Sequence, residues 1–198
     1  MFVTFEGVDG SGKSTQAQLL VEWLLAQGRT VLHAREPGQT VLGESVRDLV
    51  LHGDEMAPWA EAALFAAARA ELVAREVRPA LDRGEDVVLD RYLDSSVAYQ
   101  GAGRELGEEA VRSLSLTVTG GLLPDRTFLI DVDAETARAR AAARPDRIER
   151  EDSAFAGRVA DGYRRIAEAE PGRVVAVDGT RVPDEIAAEI RERVRDIL

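Results

Sequence analysis

Cysteine is absent from the sequence, and histidine occurs only twice, as His33 and His52. The absence of cysteine excludes disulfide bonds and thiolate metal sites. Two histidines are too few for a metal centre built mainly from imidazole. The sequence therefore excludes the cysteine-rich and histidine-rich classes of metal protein.

Long apolar runs are absent as well. No run approaches the roughly 20 residues that a membrane-spanning helix needs, and no basic-then-apolar signal segment precedes the first predicted strand. We therefore expect a protein of the cytoplasm that does not bind membranes. Its 198 residues can bury a sizeable core, and we predict a single domain over residues 1–198.

Positive charge is scarce, and almost all of it is arginine. The 25 Lys and Arg residues are outnumbered by 36 Asp and Glu, which gives a net charge of −11. This balance argues against a grip on the backbone of a nucleic acid, whereas a nucleotide needs only a local basic pocket. Lys13 is the only lysine of the chain. A compact ammonium group suits its position, where a planar guanidinium would not fit.

Lys13 lies in the stretch FEGVDGSGKST, residues 5–15. Residues 7–14 match the phosphate-loop pattern G-x-x-x-x-G-K-[ST], between a predicted strand at 2–5 and a predicted helix at 13–27. The backbone N–H groups and the helix N-terminus would hold anionic oxygens. Lys13 would reach the β- and γ-phosphates, and the Ser14 hydroxyl would hold Mg²⁺. The predicted ATP-binding residues here are Gly7, Val8, Asp9, Gly10, Ser11, Gly12, Lys13, Ser14 and Thr15.

Strands and helices alternate along the rest of the chain. Apolar runs predict strands at residues 2–5, 30–34, 87–89, 127–131 and 174–177. Helices are predicted at residues 13–27, 41–51, 58–78, 94–98, 108–119, 134–144, 155–169 and 183–198, with a glycine-interrupted turn at 100–103. The pattern predicts an α/β fold with a five-stranded parallel sheet and helices on both faces. Ligands bind such sheets outside the carboxyl ends of the strands.

Two groups of residues near those strand ends allow two interpretations each. Arg91 directly follows a buried strand, so it could clamp a phosphate or pair with Asp90 or Glu6. Phe65 and Arg69 are four residues apart and share a helix face. They could form a pocket for a base, but from the spacing alone the interpretation of Phe65 as an ordinary core residue is favoured.

An arginine-rich segment, with Arg138, Arg140, Arg144 and Arg147, follows the fourth strand. Phosphoryl transfer needs positive charge over the transferring group and the exclusion of water, and a basic flap would supply both. We therefore predict a small lid at about residues 138–150. The other interpretation is a surface helix with ion pairs to residues 149–152, and from this segment alone it is the favoured one.

Several stretches together resemble the thymidylate kinase (dTMP kinase) family along nearly the whole chain. They read FEGVDGSGKST, REPGQT, LFAAAR, DRYLDSSVAYQGAGR, LLPDRTFLIDVD and DRIE. The resemblance implies a P-loop kinase fold and transfer of the γ-phosphoryl group of ATP to dTMP, with Mg²⁺. It also implies a homodimer. The rival interpretations are a kinase for another pyrimidine nucleotide or deoxynucleoside, and a nucleotide-dependent switch without an acceptor.

The resemblance also assigns an acceptor site. Its implied residues are Asp9, Glu36, Pro37, Arg47, Phe65, Arg69, Arg91, Ser96 and Gln100. Arg47 and Arg91 would hold the phosphate, and Asp9 would lie at the sugar 3′-hydroxyl. Phe65 would stack on thymine, and Arg69 would donate to a thymine carbonyl, which favours thymine over cytosine. The bond between residues 36 and 37 is expected to be cis.

On the donor side, Arg147 would lie against adenine beside residues 178–179. The implied Mg²⁺ residues are Ser14, Asp9 and Glu149. Residues 8, 9 and 11 of the phosphate loop are not basic, so the chain resembles the bacterial branch in which the lid supplies the catalytic arginine, here Arg140 or Arg144. With Lys13, Arg91 and Asp9 these complete the predicted catalytic set. Gln39 departs from the family's usual glycine, so the turn there is expected to differ.

Overall fold

A parallel sheet forms the centre of the part of the chain that the structure, a computed structural model, describes: residues 1–140 and 146–198. Its strands are β1 Phe2–Glu6, β2 Val31–Arg35, β3 Asp86–Asp90, β4 Arg126–Asp131 and β5 Val174–Asp178. They are hydrogen-bonded in the order β2-β3-β1-β4-β5, with parallel pairing throughout. The predicted five-stranded parallel sheet is therefore confirmed, and β1, which leads into the phosphate loop, is its central strand.

Helices connect the strands and cover the sheet. They are α1 Lys13–Ala26, α2 Val41–His52, α3 Pro58–Leu72, α4 Arg78–Asp82, α5 Leu93–Ser96, α6 Glu108–Thr119, α7 Ala134–Arg140, α8 Ser153–Ala169 and α9 Pro183–Arg195. On β3, Val88 packs in a cluster with α1 and α9, whereas Val87 and Leu89 pack in a cluster with α3 and α8. The strands are apolar on both faces because helices cover both. None of the described helices has the length and apolar character to cross a bilayer.

The helix predicted at residues 58–78 runs further than expected. A π-helical turn, Val73–Val77, joins α3 to α4. Arg78 N donates to Val73 O, five residues back. Pro79 has no N–H to donate, and the wider turn carries the chain past it without ending the helix.

The turn predicted at residues 100–103 is wrong. That stretch belongs to a π-helical segment, Val97–Gly103, which continues from α5. A Cβ atom on Gly103 would lie 2.7 Å from the Phe155 ring, and one on Gly101 would lie 2.9 Å from Cα of Glu108. The two glycines allow close packing against α8 and α6, and they were mistaken for turn residues.

The arginine-rich segment is described in part. Helix α7 begins at Ala134 as expected and is described up to Arg140. Arg144 and the middle of the predicted lid lie outside the described residues. The chain is described again from residue 146, and Asp152 then caps α8 by accepting from Phe155 N at 2.7 Å. The assignment of the whole chain to one domain with a lid stays a prediction.

In the turn after β2, Gln39 adopts a backbone conformation that is more usual for glycine. Gln39 has a φ of 70°, in the left-handed region, and the Glu36–Pro37 bond is cis, as expected. The backbone N–H of Gln39 donates to Glu44 Oε1 at 2.8 Å. This bond holds a residue with a left-handed backbone in place. The expected difference from the turn of the family stays a prediction.

Candidate active site

The phosphate loop lies between the central strand β1 and helix α1. Gly7, Gly10 and Gly12 have φ values of 141°, 78° and 97°. A Cβ atom on Gly7 would lie 2.6 Å from Ile130 O, so only glycine fits where the loop leaves the sheet. Helix α1 starts at Lys13, and its first N–H groups face the loop. This is the geometry of an anion site at a helix N-terminus.

Lys13, Asp9 and Arg91 form a charged group beside this loop. Lys13 Nζ lies 3.2 Å from Asp9 Oδ1, and Arg91 Nη2 lies 2.6 Å from the same oxygen. Burial alone would raise the pKa of Asp9, but Arg91 and Lys13 lower it below its usual range. Burial, helped by the charge of Arg91, lowers the pKa of Lys13. Two cations thus meet at one carboxylate here, and both are groups that can bind phosphate oxygens.

Arg91 points into the site from the end of β3. Its φ is 71°, and Nη1 donates to Ser95 Oγ at 3.0 Å and to Tyr163 Oη at 3.2 Å. Its guanidinium carbon also lies 5.1 Å from the centre of the Tyr99 ring. Of the two interpretations, these contacts favour a fixed cation facing the cleft over a partner for Asp90 or Glu6.

Glu6, at the end of β1, is a site residue that the sequence analysis missed except as a partner for Arg91. Its side chain is fully buried. Ser95 Oγ donates to Glu6 Oε2 at 2.5 Å, Tyr163 Oη donates to the same oxygen at 3.2 Å, and Tyr92 N donates to Oε1 at 2.8 Å. The same two hydroxyls accept hydrogen bonds from Arg91. Glu6 therefore holds the groups that position Arg91, and we call Glu6, Ser95 and Tyr163 the floor of the site. Burial, and then the charge of Asp94, raise the pKa of Glu6 to about 8.

This pKa gives a testable dependence of stability on pH. The ordinary pKa of Glu6 is 4.5, so between about pH 4.5 and 8 the folded state holds a proton that the unfolded state has lost. Glu6 therefore lowers the free energy of unfolding as pH rises through this window, by up to about 1.4 kcal/mol per pH unit. In urea unfolding at pH 5 to 9, Glu6→Gln should gain stability relative to the parent as pH rises. A constant difference across that range would contradict the assignment.

The acceptor residues implied by the resemblance come together in one cavity. All nine line it, including Asp9 and Arg91 of the charged group beside the phosphate loop. The cavity's other lining residues carried no signal in the sequence; they are Leu51, Tyr92, Ser95, Tyr99, Asp146 and Ile148. Arg47 reaches the cavity from α2, and its Nη1 donates to Pro37 O at 3.0 Å. The individual roles of these residues stay predictions.

Arg69 is held by protein groups on several sides. Its side chain is buried, and Nε donates to Glu36 Oε2 at 2.8 Å. Ser96 Oγ, Ser115 Oγ and the carbonyl of Tyr92 accept its other hydrogen bonds. Burial raises the pKa of Glu36 in spite of Arg69, and Glu36 Oε1 has no partner among the described residues. Most N–H groups of Arg69 are thus used in hydrogen bonds to the protein. Glu36 Oε1 remains able to accept a hydrogen bond from a ligand.

A hydroxyl and a carboxylate lie together beneath the loop. Ser14 Oγ donates to Asp90 Oδ2, and Asp90 Oδ1 is buried without a partner among residues 1–140 and 146–198. The sequence analysis named Ser14 for the metal but not Asp90. Glu149 Oε2 accepts from Asp146 N at 2.9 Å. Burial, and then the charges of Asp146 and Asp9, raise the pKa of Glu149.

The expected position of Arg147 beside residues 178–179 is wrong. Arg147 Nη2 lies 2.7 Å from Glu61 Oε2, and Nε donates to Val50 O at 2.9 Å, which places it on the acceptor side. Arg140 takes the place next to the loop after β5, where Nη1 donates to Gly179 O at 2.8 Å. Arg147 could not be placed from sequence because its partner, Glu61, is far away along the chain.

The comparisons with known proteins agree with this geometry. A family model described as Thymidylate kinase matches residues 5–190. Thymidylate kinase from Leifsonia xyli subsp. xyli is 59% identical, over 98% of this chain and 93% of the relative. The one from Bifidobacterium longum subsp. infantis is 48% identical, over 100% and 87%. The crystal structure of thymidylate kinase from Ehrlichia chaffeensis matches with a TM-score of 0.82 and 34% identity, covering 98% of both chains. The chain therefore belongs to the thymidylate kinase family.

Proposed function

We propose that this chain phosphorylates dTMP to dTDP with ATP as donor by holding both phosphate groups between the phosphate loop and Arg91. The enzyme class and the reaction follow from its family. The observation that carries the residue assignments is the shared charged group: Asp9 and Arg91 line the acceptor cavity and contact each other beside Lys13. An acceptor phosphate at Arg91 would therefore meet a donor phosphate at Lys13.

Catalysis then requires placement and charge, with little covalent chemistry by the protein. Lys13 and the N-terminus of α1 hold the donor's β- and γ-phosphates. Arg91, fixed by Ser95 and Tyr163, holds the acceptor phosphate in line with them, together with Arg47. Asp9, with its lowered pKa, stays ionised and bridges the two cations, which offsets their mutual repulsion until the phosphates arrive. Such pre-positioned charge stabilises a transition state without reorganisation.

Magnesium is proposed as the metal that accompanies ATP. Ser14 and Asp90 fit it, because the loop hydroxyl and a strand-end aspartate are typical Mg²⁺ ligands in phosphate-loop enzymes. Asp90 Oδ1, which has no partner among the described residues, supports this assignment. Glu149 and Asp9 are proposed as further residues around the metal. Among the described residues no three acidic or histidine side chains are grouped to hold a metal alone. Mg²⁺ commonly takes only one or two protein carboxylates beside the phosphates. When bound, it would neutralise charge on the phosphate oxygens.

The acceptor preference is tested with a coupled ADP-release assay across nucleoside monophosphates. We expect turnover to be fastest with dTMP, slower with dUMP and nearly absent with dCMP or AMP, and EDTA should abolish it. Arg69→Ala should lose roughly 1–3 kcal/mol in kcat/KM for dTMP, the cost of a buried polar group left unmet. Faster turnover with dCMP or AMP would support the rival kinase, and ATP turnover without any acceptor would support the switch.

The catalytic lid arginine is proposed to be Arg140 or Arg144. Arg140 already lies beside the loop after β5, and Arg144 is outside the described residues. Replacing the true one with alanine should lower kcat far more than it raises KM for ATP, because the contact forms mainly in the transition state. Near-normal kcat in both alanine variants would exclude a lid arginine at these positions.

A homodimer is proposed from the family and from an apolar surface on α2 and the start of α3. Leu42 and Leu49 lie two turns apart on α2 and are exposed, as are Val41 at the start of α2 and Trp59 at the start of α3. A second copy of the chain would cover these side chains. Sedimentation of the wild type and of the double variant Leu42→Glu/Leu49→Glu tests this: the wild type should be a dimer and the variant a monomer. A monomeric wild type would contradict the proposal.

The cytoplasmic location stays a prediction, which cell fractionation can test.

A further inference from the structure

A carboxylate on α3 ties together three elements around the acceptor cavity. Glu61 is 1% exposed. Its Oε1 accepts from Gln100 Nε2 at 2.9 Å, and Arg104 donates to both of its oxygens at 3.2 and 3.1 Å. Arg147 Nη2 donates to Oε2 at 2.7 Å. Burial alone would raise the pKa of Glu61, but hydrogen bonds from Arg104, Gln100 and Arg147 lower it, so the carboxylate is charged.

Arg147 also anchors its own segment to α2. Its backbone N–H donates to Leu51 O at 3.0 Å and its Nε donates to Val50 O at 2.9 Å. Leu51 itself lines the acceptor cavity. The side chain and the backbone N–H of Arg147 thus join the C-terminal part of the predicted lid to the end of α2 and, through Glu61, to α3.

The residues on either side of Arg147 form part of the cavity wall. Asp146 and Ile148 both line it. Asp146 Oδ1 accepts from Ile148 N at 2.8 Å and from Glu149 N at 2.9 Å, which makes residues 146–149 a closed turn. Without the Arg147 side chain, this turn would lose its hydrogen bonds to Glu61 on α3 and to Val50 on α2 but keep the backbone bond to Leu51, so the wall would be held less firmly.

We propose that Arg147 is a positioning residue of the acceptor site, which acts through Glu61 on Gln100 and through α2 on the wall at residues 146–148. The inference rests on the proposed acceptor site. It assigns Arg147 to dTMP, whereas the sequence pattern had assigned it to adenine. A buried ion pair is weak evidence for a role in stability alone. Here Glu61 also holds Gln100, and Gln100, Asp146 and Ile148 line the acceptor cavity.

Arg104 offers a matched control. It donates two hydrogen bonds to the same carboxylate. Neither arginine is among the described lining residues, but Arg147 lies between two of them, Asp146 and Ile148, whereas both chain neighbours of Arg104 lie outside the described lining. Arg147→Met should raise KM for dTMP about tenfold, equivalent to about 1.4 kcal/mol, with KM for ATP changed by less than about twofold. Arg104→Met should leave both KM values within about twofold. The readout is steady-state kinetics with each substrate varied, together with melting curves.

Three outcomes would overturn the proposal. A rise in KM for ATP instead of dTMP would place Arg147 on the donor. An equal rise in KM for dTMP in both variants would show that losing either arginine partner of Glu61 has the same effect, with no special role for Arg147. Unchanged KM values in a folded Arg147→Met protein would show that Arg147 does not position the acceptor site.

If that variant does not fold, Arg147→Lys takes its place. Lysine keeps a positive charge beside Glu61 but lacks the planar guanidinium that also reaches Val50, so KM for dTMP should rise and KM for ATP should not. A wild type that does not turn over dTMP would refute the proposed function itself, before any variant is compared.

Discussion

Lys13→Arg should lose nearly as much activity as Lys13→Ala, although arginine fills every other basic position of the chain. We expect kcat to fall by about 10²–10³-fold or more in both, as when a pre-positioned donor is removed from a transition state. Lys13 is only 7% exposed, under the loop and beside Asp9. The larger, planar guanidinium would not fit there. The measurement is kcat with saturating ATP and dTMP, and an active Lys13→Arg enzyme would contradict the assignment.

Chemical labelling gives an independent check on Lys13. An amine-directed reagent has two targets in this chain, the Lys13 side chain and the N-terminal amine of Met1. That amine lies 3.4 Å from Asp86 Oδ1, at the start of β3 and away from the phosphate loop, so it serves as an internal control. Mg·ATP should protect Lys13 strongly and leave Met1 unchanged. Equal labelling of Lys13 with and without Mg·ATP would show that the loop does not hold the phosphates.

The sheet and the phosphate loop could be predicted because their signals are local. An apolar strand, a spaced set of glycines and a helix start all occur within residues 2–27. The glycines at 7, 10 and 12 are required by backbone angles that other residues rarely adopt. Local signals of this kind can be recognised without knowledge of the tertiary structure.

The π-helical segment at Val97–Gly103 shows where local reasoning fails. Gly101 and Gly103 have the sequence character of a turn, but their reason for being glycine is the close approach of Glu108 and Phe155. That approach exists only after α6 and α8 have packed. Sequence alone cannot separate a glycine needed for its backbone freedom from one needed for its small size.

The floor of the candidate site was missed for a similar reason. Glu6, Ser95 and Tyr163 come from β1, α5 and α8, and Glu6 and Tyr163 are 157 residues apart in the chain. No spacing rule links them. The residues named from family motifs did come together in one cavity, whereas Arg147, assigned from a motif to the wrong side, was placed by its ion pair with Glu61.

Arg91→Met should separate a kinase from a nucleotide-dependent switch. The substitution removes the cation that we assign to the acceptor phosphate and leaves Asp9 its contacts with Lys13 and with the Tyr99 hydroxyl. We expect kcat/KM for dTMP to fall by about 10²–10³-fold, with a small change in KM for ATP. Arg83→Met is the matched control, because Arg83 is an exposed arginine paired with Glu85, far from the cavity.

The same variant also tests how Arg91 is held. Its fixed orientation depends on Ser95 and Tyr163 as well as on Asp9, so Arg91→Lys should recover little, since a single ammonium cannot reach these groups and a phosphate together. ATP hydrolysis without acceptor should be low in the parent and no higher in either variant. If hydrolysis without acceptor were the main activity and Arg91→Met preserved it, Arg91 would have no acceptor to hold. The charged group at the loop would then serve nucleotide binding alone.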